Sequence, residues 1–299
     1  MTRRAVWFIE ACFILLLSLP LALMPLSFAQ KVGEKLGLLL FFIWKSRREV
    51  AIRNLSHLIE NGALRVSEPA EKIIRDNFQN LGQSFAEVLK IYFGLGRSII
   101  DSVTIEGIEH FQEARAKGRG ILLITGHCGN WELLAITASV KVTPIAIVAR
   151  RINNPYINRL VEKVRKRYGN KVIYKQGALK PIMQETKNNG CVGILMDQAV
   201  VPEEGYIINF LGRGAWTTKM PALIAKKTGA AVLPVFMHRT KTGHAIGVYP
   251  AVELSSNSDR EQALIEDTQR FSSFIEAYIR EHPEEWLWMH RRWKRVPGP

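Results

Sequence analysis

The chain opens on an apolar run at residues 5–29, broken by Glu10, Pro20 and Pro25. That length matches the ~20 apolar residues a bilayer-spanning helix needs. A second apolar stretch at 36–44 follows at once, as a cleaved leader would not be followed. The pattern therefore predicts a membrane anchor over 1–30, with a signal peptide and a buried core helix as the rivals. The two prolines leave open whether it crosses the bilayer or lies in its surface. Residues 47–59 and 69–92 read as helices. In the second, Ile73, Ile74, Phe78, Leu81, Phe85, Val88 and Leu89 recur at steps of three and four behind Glu68-Pro69. A helical, membrane-associated region over 31–100 is expected.

From residue 103 short β-rich runs alternate with helical patterns. The strands expected are at 103–107, 120–125, 144–149, 171–174, 191–196, 206–210, 230–237 and 244–250. Helices are expected near 155–168, 178–188, 216–228 and 259–281. Continuous apolar strands alternating with helices predict an α/β domain over 101–299, a mixed, mostly parallel central sheet flanked by helices. The adjacent runs at 230–237 and 244–250 predict one antiparallel pair. No repeat or low-complexity linker divides the chain.

Charge narrows the partners. The formal net charge is +14 and the isoelectric point about 9.8, which implies an anionic partner. Lys31, Lys35, Lys45, Arg47 and Arg48 follow the apolar run, against Arg3 and Arg4 before it. By the positive-inside rule the body lies on the cytoplasmic side. Cys12, Cys128 and Cys191 give no disulfide framework and no zinc spacing.

Residues 120–135 carry the candidate chemistry: a buried strand ending at Thr125, a turn at Gly126, His127, and a helix starting near Asn130 with Glu132 in its first turn. In open α/β sheets ligands bind at that edge. Folded back through the turn, Glu132 would fix the imidazole tautomer, and the other ring nitrogen would take a proton from an alcohol. The competing interpretation is a satisfied polar residue and a helix-capping acid. Cys128, next in sequence, should point away from His127. The His-x4-Glu spacing is not that of a zinc protease, and no metal is expected.

His127-Cys-Gly-Asn-Trp-Glu132 resembles the HX4(D/E) motif of the glycerolipid and lipid A acyltransferases, in the form found in the late lauroyl and myristoyl transferases of lipid A biosynthesis. The resemblance covers most of the chain. It includes Arg53-Asn54-Leu55, Asn77-Phe78 and Glu87, Arg150 with Asn154-Pro155 and Arg165-Lys166-Arg167. It continues through Asp197-Gln198, Phe210-Leu211-Gly212 with Thr217-Thr218, and a long block from Pro283 to Lys294. The chain departs from the family's pattern at Arg151, where proline is usual, and at Ala199-Val200, where an acid is usual after the glutamine. The resemblance implies acyl transfer from an acyl carrier protein or coenzyme A thioester to a hydroxyl of a lipid A precursor or related anionic glycolipid. It also implies the bacterial inner membrane, and no bound organic cofactor. His127 would be the base and Glu132 its orienter. Arg165 or Arg150 would hold an oxyanion or phosphate. Asp197 and Gln198 would stand at the same sheet edge, the aspartate exposed and orienting an arginine or simply ending the strand.

Residues 286–295 mix tryptophans with cations and are expected to form an interfacial belt, the alternative being that the tryptophans pack against the sheet. Three other functions remain. A glycerolipid acyltransferase lacks this C-terminal block. A non-enzymatic lipid-binding protein would not need the His127/Glu132 pair. A nucleic-acid-binding protein would explain the charge but not the anchor, so no nucleic acid is expected.

Overall fold

The structure, a computed structural model, describes residues 3–296. The first two residues of the expected anchor and the last three of the expected α/β domain lie outside the described residues. The apolar run forms α1 (Arg3–Leu23), and Pro25, which has no N–H to continue a helix, starts α2 (Leu26–Ile43). Next come α3 (Lys45–Glu60) and α4 (Ala70–Tyr92), the latter opened by Pro69 as expected. α2 and α4 cross with their backbones in contact. A Cβ on Gly33 would fall 2.4 Å from the Gly82 carbonyl oxygen, and one on Gly37 2.1 Å from that of Phe78. No side chain fits at those two glycines.

The α/β region runs α5 (Arg97–Ser102), β1 (Thr104–Glu106), α6 (Ile108–Ala116), β2 (Ile121–Thr125), α7 (Trp131–Lys141), β3 (Ile145–Ala149) and α8 (Pro155–Arg167). It continues through β4 (Lys171–Tyr174), α9 (Leu179–Lys187), β5 (Cys191–Leu195), β6 (Gly205–Phe210), β7 (Arg213–Thr218) and α10 (Met220–Thr228). It ends with β8 (Ala231–Thr240), β9 (Gly243–Val248) and α11 (Arg260–Glu281). Seven strands form one sheet in the order β1-β9-β8-β2-β5-β3-β4. The pairs around β2, β3, β4 and β5 are parallel, and β8 with β9 is the expected antiparallel pair. All five residues of the central β2 are buried. Its alternate residues feed the two faces: Leu122 and Ile124 join Phe271 and Ile275 of α11, while Ile121 and Leu123 join Leu133 and Ile136 of α7. This is the two-residue strand period acting on a sheet covered on both sides.

Three expectations are corrected. The run at 206–210 does not enter the sheet but pairs with β7 in a separate antiparallel hairpin. Residues 216–218, expected to start a helix, complete that hairpin, and Pro221 stands in the first turn of α10, where its fixed φ suits a helix start. The C-terminal tryptophans are not an interfacial belt. Trp286, Trp288 and Trp293 are 1%, 0% and 6% exposed, and Arg292 is fully buried. Their indole N–H groups donate to Asp197, to the Pro283 carbonyl and to the Phe210 carbonyl, so the polar end of each ring is satisfied inside the protein.

Candidate active site

In the β2–β5 register Thr125 faces Leu195. Two residues beyond that pair, His127 and Asp197 meet at the carboxyl edge of the sheet. Asp197 Oδ1 lies 2.8 Å from His127 Nδ1. Its Oδ2 accepts from the His127 backbone N–H and from Trp286 Nε1, each at 2.9 Å. A carboxylate acceptor on Nδ1 requires the hydrogen there, leaving Nε2 as an acceptor. The Gln198 amide nitrogen sits 3.3 Å from Nε2, and the Trp131 ring packs edge-on against the imidazole.

This arrangement corrects the expected partner. Glu132 does not reach back to His127. Asn130 caps α7 by accepting from the Leu133 N–H, and Glu132 points across to α8, where Arg165 Nη2 donates to it at 2.6 Å. The Tyr92 hydroxyl donates to its other oxygen at 3.1 Å. Asp197, expected to be exposed and to orient an arginine, is 2% exposed and orients the imidazole. Arg150 is exposed at the cavity rim and has no ion pair of its own among the described residues.

The electrostatics follow from this geometry. Burial disfavours the imidazolium, but the Asp197 carboxylate, its hydrogen bond and the nearby Glu132 charge outweigh it, and the His127 pKa is raised above its usual value. Burial pushes the Asp197 carboxyl up, but the His127 charge and the bonds from His127 and Trp286 hold it well below the usual carboxylate range. Burial, then the Asp197 and Glu285 charges, push the Cys128 thiol up, so it stays a thiol and is no nucleophile.

The turn is held from behind. The Gly129 N–H donates to the Glu285 carbonyl and the Leu287 N–H to the His127 carbonyl. Gly129 has φ +53°, and a Cβ there would lie 2.0 Å from the Met237 carbonyl oxygen, so only glycine fits. Below it, buried Glu87 accepts from Asn130 Nδ2 at 2.9 Å and from Arg239 at 2.5 Å. Burial works against this charge, yet His244 and Arg239 bring the Glu87 pKa down to about 2. Tyr92, Asn130, Glu285 and Trp286 were not singled out as site residues from sequence, although all but Tyr92 fall within blocks that carry the resemblance.

In front of His127 opens a cavity of about 430 Å³, which also reaches Glu132, Arg165, Gln198, Arg150 and His290. Burial lowers the His290 pKa to about 4, so its ring is neutral at pH 7. Lys294 lies at the same cavity. Burial, then the charges of Arg295, Arg291, Arg150 and Lys175, lower its pKa. The cavity thus has the hydrogen-bonded His127–Asp197 pair inside and a concentration of positive charge at one side. Among the described residues no group of three or more His, Cys, Asp or Glu could hold a metal ion.

Residues 1–295 match the family described as bacterial lipid A biosynthesis acyltransferase. The chain belongs to this family. The acyltransferase is 25% identical over 280 residues to a lipid A biosynthesis acyltransferase of Haemophilus influenzae, covering 90% of this chain and 82% of that one. It is 26% identical over 276 residues to the lipid A biosynthesis lauroyltransferase of Escherichia coli K12, covering 92% and 88%. It is also similar to a phosphatidylinositol mannoside acyltransferase of Mycobacterium tuberculosis, 27% identical over 192 residues, covering 63% and 59%.

Proposed function

We propose that this acyltransferase moves a fatty acyl chain from an acyl carrier protein or coenzyme A thioester to a hydroxyl of a lipid A precursor or related glycolipid at the cytoplasmic face of the bacterial inner membrane. The observation that carries the reading is the His127–Asp197 pair with Nε2 turned to the cavity. The acceptor hydroxyl displaces the Gln198 amide from Nε2 and gives up its proton there. Its oxygen attacks the thioester carbonyl carbon, and the imidazolium is held by Asp197. The tetrahedral intermediate collapses, the carbon–sulfur bond breaks, and the thiolate takes the proton back from Nε2. No acyl-enzyme is required, because among the described residues no activated serine or thiol adjoins the base.

The oxyanion needs donors already in place, each contributing about 2.7–4 kcal/mol. Two are at hand. The Gln198 amide is released when the hydroxyl arrives, and the Arg165 Nε–H is buried without a partner. Glu132 holds Arg165 in position while adding negative charge that favours the imidazolium. Arg150, Lys175 and Lys294, all at the cavity, suit a phosphate of the acceptor or donor, with Arg150 able to grip it bidentately.

A mannosylated phospholipid acceptor is the second reading, favoured by the similarity to the mannoside acyltransferase. The test offers the purified protein a mixture of acyl thioesters with a lipid A precursor or a phosphatidylinositol mannoside, and follows product mass. An acylated lipid A precursor, absent with His127→Ala, supports the first reading. Product only on the mannoside replaces it. Product persisting in His127→Ala removes the mechanism.

A further inference from the structure

The apolar surface of the protein is gathered at its N-terminal end. Phe8, Phe13, Leu16, Leu17, Phe28 and Phe42, on α1 and α2, are all more than half exposed. α1 is long and apolar enough to cross a membrane. Its attachments argue against crossing.

α1 is tied to the body at both ends. Near its start, the Asn154 side-chain nitrogen donates to the Trp7 carbonyl at 2.8 Å and to Glu10 at 3.0 Å, and Phe8 packs edge-on against Tyr156. At its far end, Lys90 Nζ donates to the Ala22 and Met24 carbonyls. Between these points Ala11, Ser18, Leu21 and Ala22 are buried, a single stripe facing inward. Trp7 to Ala22 spans roughly 22 Å at 1.5 Å per residue. Glu10, the acid that interrupts the apolar run, has its partner in Asn154.

α8 starts beside the first tie, with Asn154 capping it. It ends against α4, where the Tyr168 hydroxyl donates to the Ile91 carbonyl, next to the second tie at Lys90. So α1 and α8 run alongside one another. α8 exposes Arg159, Lys163, Lys166 and Arg167. Were α1 to cross the bilayer, this cationic helix would be carried through the hydrocarbon at the same depth, where charged side chains are strongly disfavoured. With α1 lying flat, its outer face enters one leaflet and the cations of α8 stay among anionic headgroups.

We infer that α1 and α2 dock the protein onto one leaflet of an anionic bilayer, with α1 in the plane of the membrane and both of its ends on the same side. The opposite face of α8 lines the cavity through Val161 and Arg165, so the reaction cavity stands one helix away from the lipid surface. This inference needs only that the protein binds membranes, and holds whichever glycolipid is acylated.

The test is thiol labelling of the full-length protein in its membrane. Cys128 and Cys191 are buried and Cys12 is exposed, so Cys12→Ser gives a quiet background for Arg4→Cys before the apolar run and Ser46→Cys after it. A membrane-impermeant maleimide is applied to intact spheroplasts and to inside-out vesicles, with denatured protein as the full-reaction reference. Both positions reacting from one and the same side is the expected result, in inside-out vesicles and not in spheroplasts where the protein sits on the cytoplasmic face. Residue 4 reacting only from the outside of spheroplasts overturns the inference in favour of a crossing helix. In the wild type, Cys12 in the membrane is expected to react at least tenfold more slowly than in the denatured reference; equal rates mean that its face does not meet lipid, and also overturn it. Acyl transfer is assayed separately, so an inactive protein can still give either topological answer.

Discussion

The two ends of the chain are both rich in large apolar side chains, and the fold treats them in opposite ways. The N-terminal helices leave Phe13, Leu16 and Leu17 at 58%, 68% and 62% exposure, whereas the C-terminal Trp286 and Trp288 are at 1% and 0%. What separates them is where polar groups can be satisfied. In α1 the backbone closes its own hydrogen bonds, so its outer face can be apolar without cost in a lipid environment. The C-terminal segment is irregular: it needs partners for its backbone and indole groups, and Asp197 and the turn that carries His127 supply them. One end is left open to its surroundings; the other is folded into the His127–Asp197 site.

The comparison breaks most severely at the point where the C-terminal segment meets the base. Asp197→Asn is expected to lower kcat by roughly 10²–10⁴, since the tautomer and the imidazolium both lose their support. Only the neutral base is competent, so the wild-type rate should climb with pH through the raised His127 pKa, and the climb should move to lower pH once the carboxylate is gone; pH–rate profiles of both proteins check this. Removing the Glu87 carboxylate strands Arg239. Glu87→Gln should cost about 3–5 kcal/mol, as for a broken buried pair. Because the folded pKa of Glu87 is depressed, its stabilisation is full above about 4.5 and is lost as pH falls towards 2. Denaturant unfolding at pH 7 and pH 3 should therefore show a smaller gap between mutant and wild type at the lower pH. Trp286→Phe keeps an aromatic ring, although a smaller one, and removes the N–H whose hydrogen bond Asp197 accepts. A loss of about 1–3 kcal/mol and a lower kcat at unchanged KM are expected, read by thermal unfolding and steady-state kinetics. Smallest in stability is the double change Leu16→Ser with Leu17→Ser at the other end, within about 0.5 kcal/mol. It should nevertheless shift the protein from membrane to supernatant in flotation, which no C-terminal surface change should do.

Much of this was legible because it is local. The run at 171–174 is β4 to the residue, and the three- and four-residue steps behind Pro69 mark out α4. The parallel sheet followed from strands buried on both faces. The site was legible in position but not in pairing. Sequence nearness favoured Glu132, five residues from His127, over Asp197, seventy residues away. Parallel neighbours β2 and β5 bring the distant acid opposite the histidine, and Glu132 leaves on the first turn of a helix aimed at α8. The tryptophan block misled for a related reason: composition reports that a segment is amphipathic and says nothing about which partner satisfies its indole nitrogens.

The way β2 and β5 deliver the dyad has a consequence for descent. The separation of His127 and Asp197 is set by the spacing of two hydrogen-bonded strands, which no single side-chain change readily alters. The cations near the mouth sit on looser ground: Arg150 follows a strand end, and Lys294 lies in the irregular C-terminal stretch. On the proposed reading, natural variation can explore which anionic lipid is admitted while the distance between His127 and Asp197 is inherited intact, so a family of this design should diversify at its doorway long before it does at this pair.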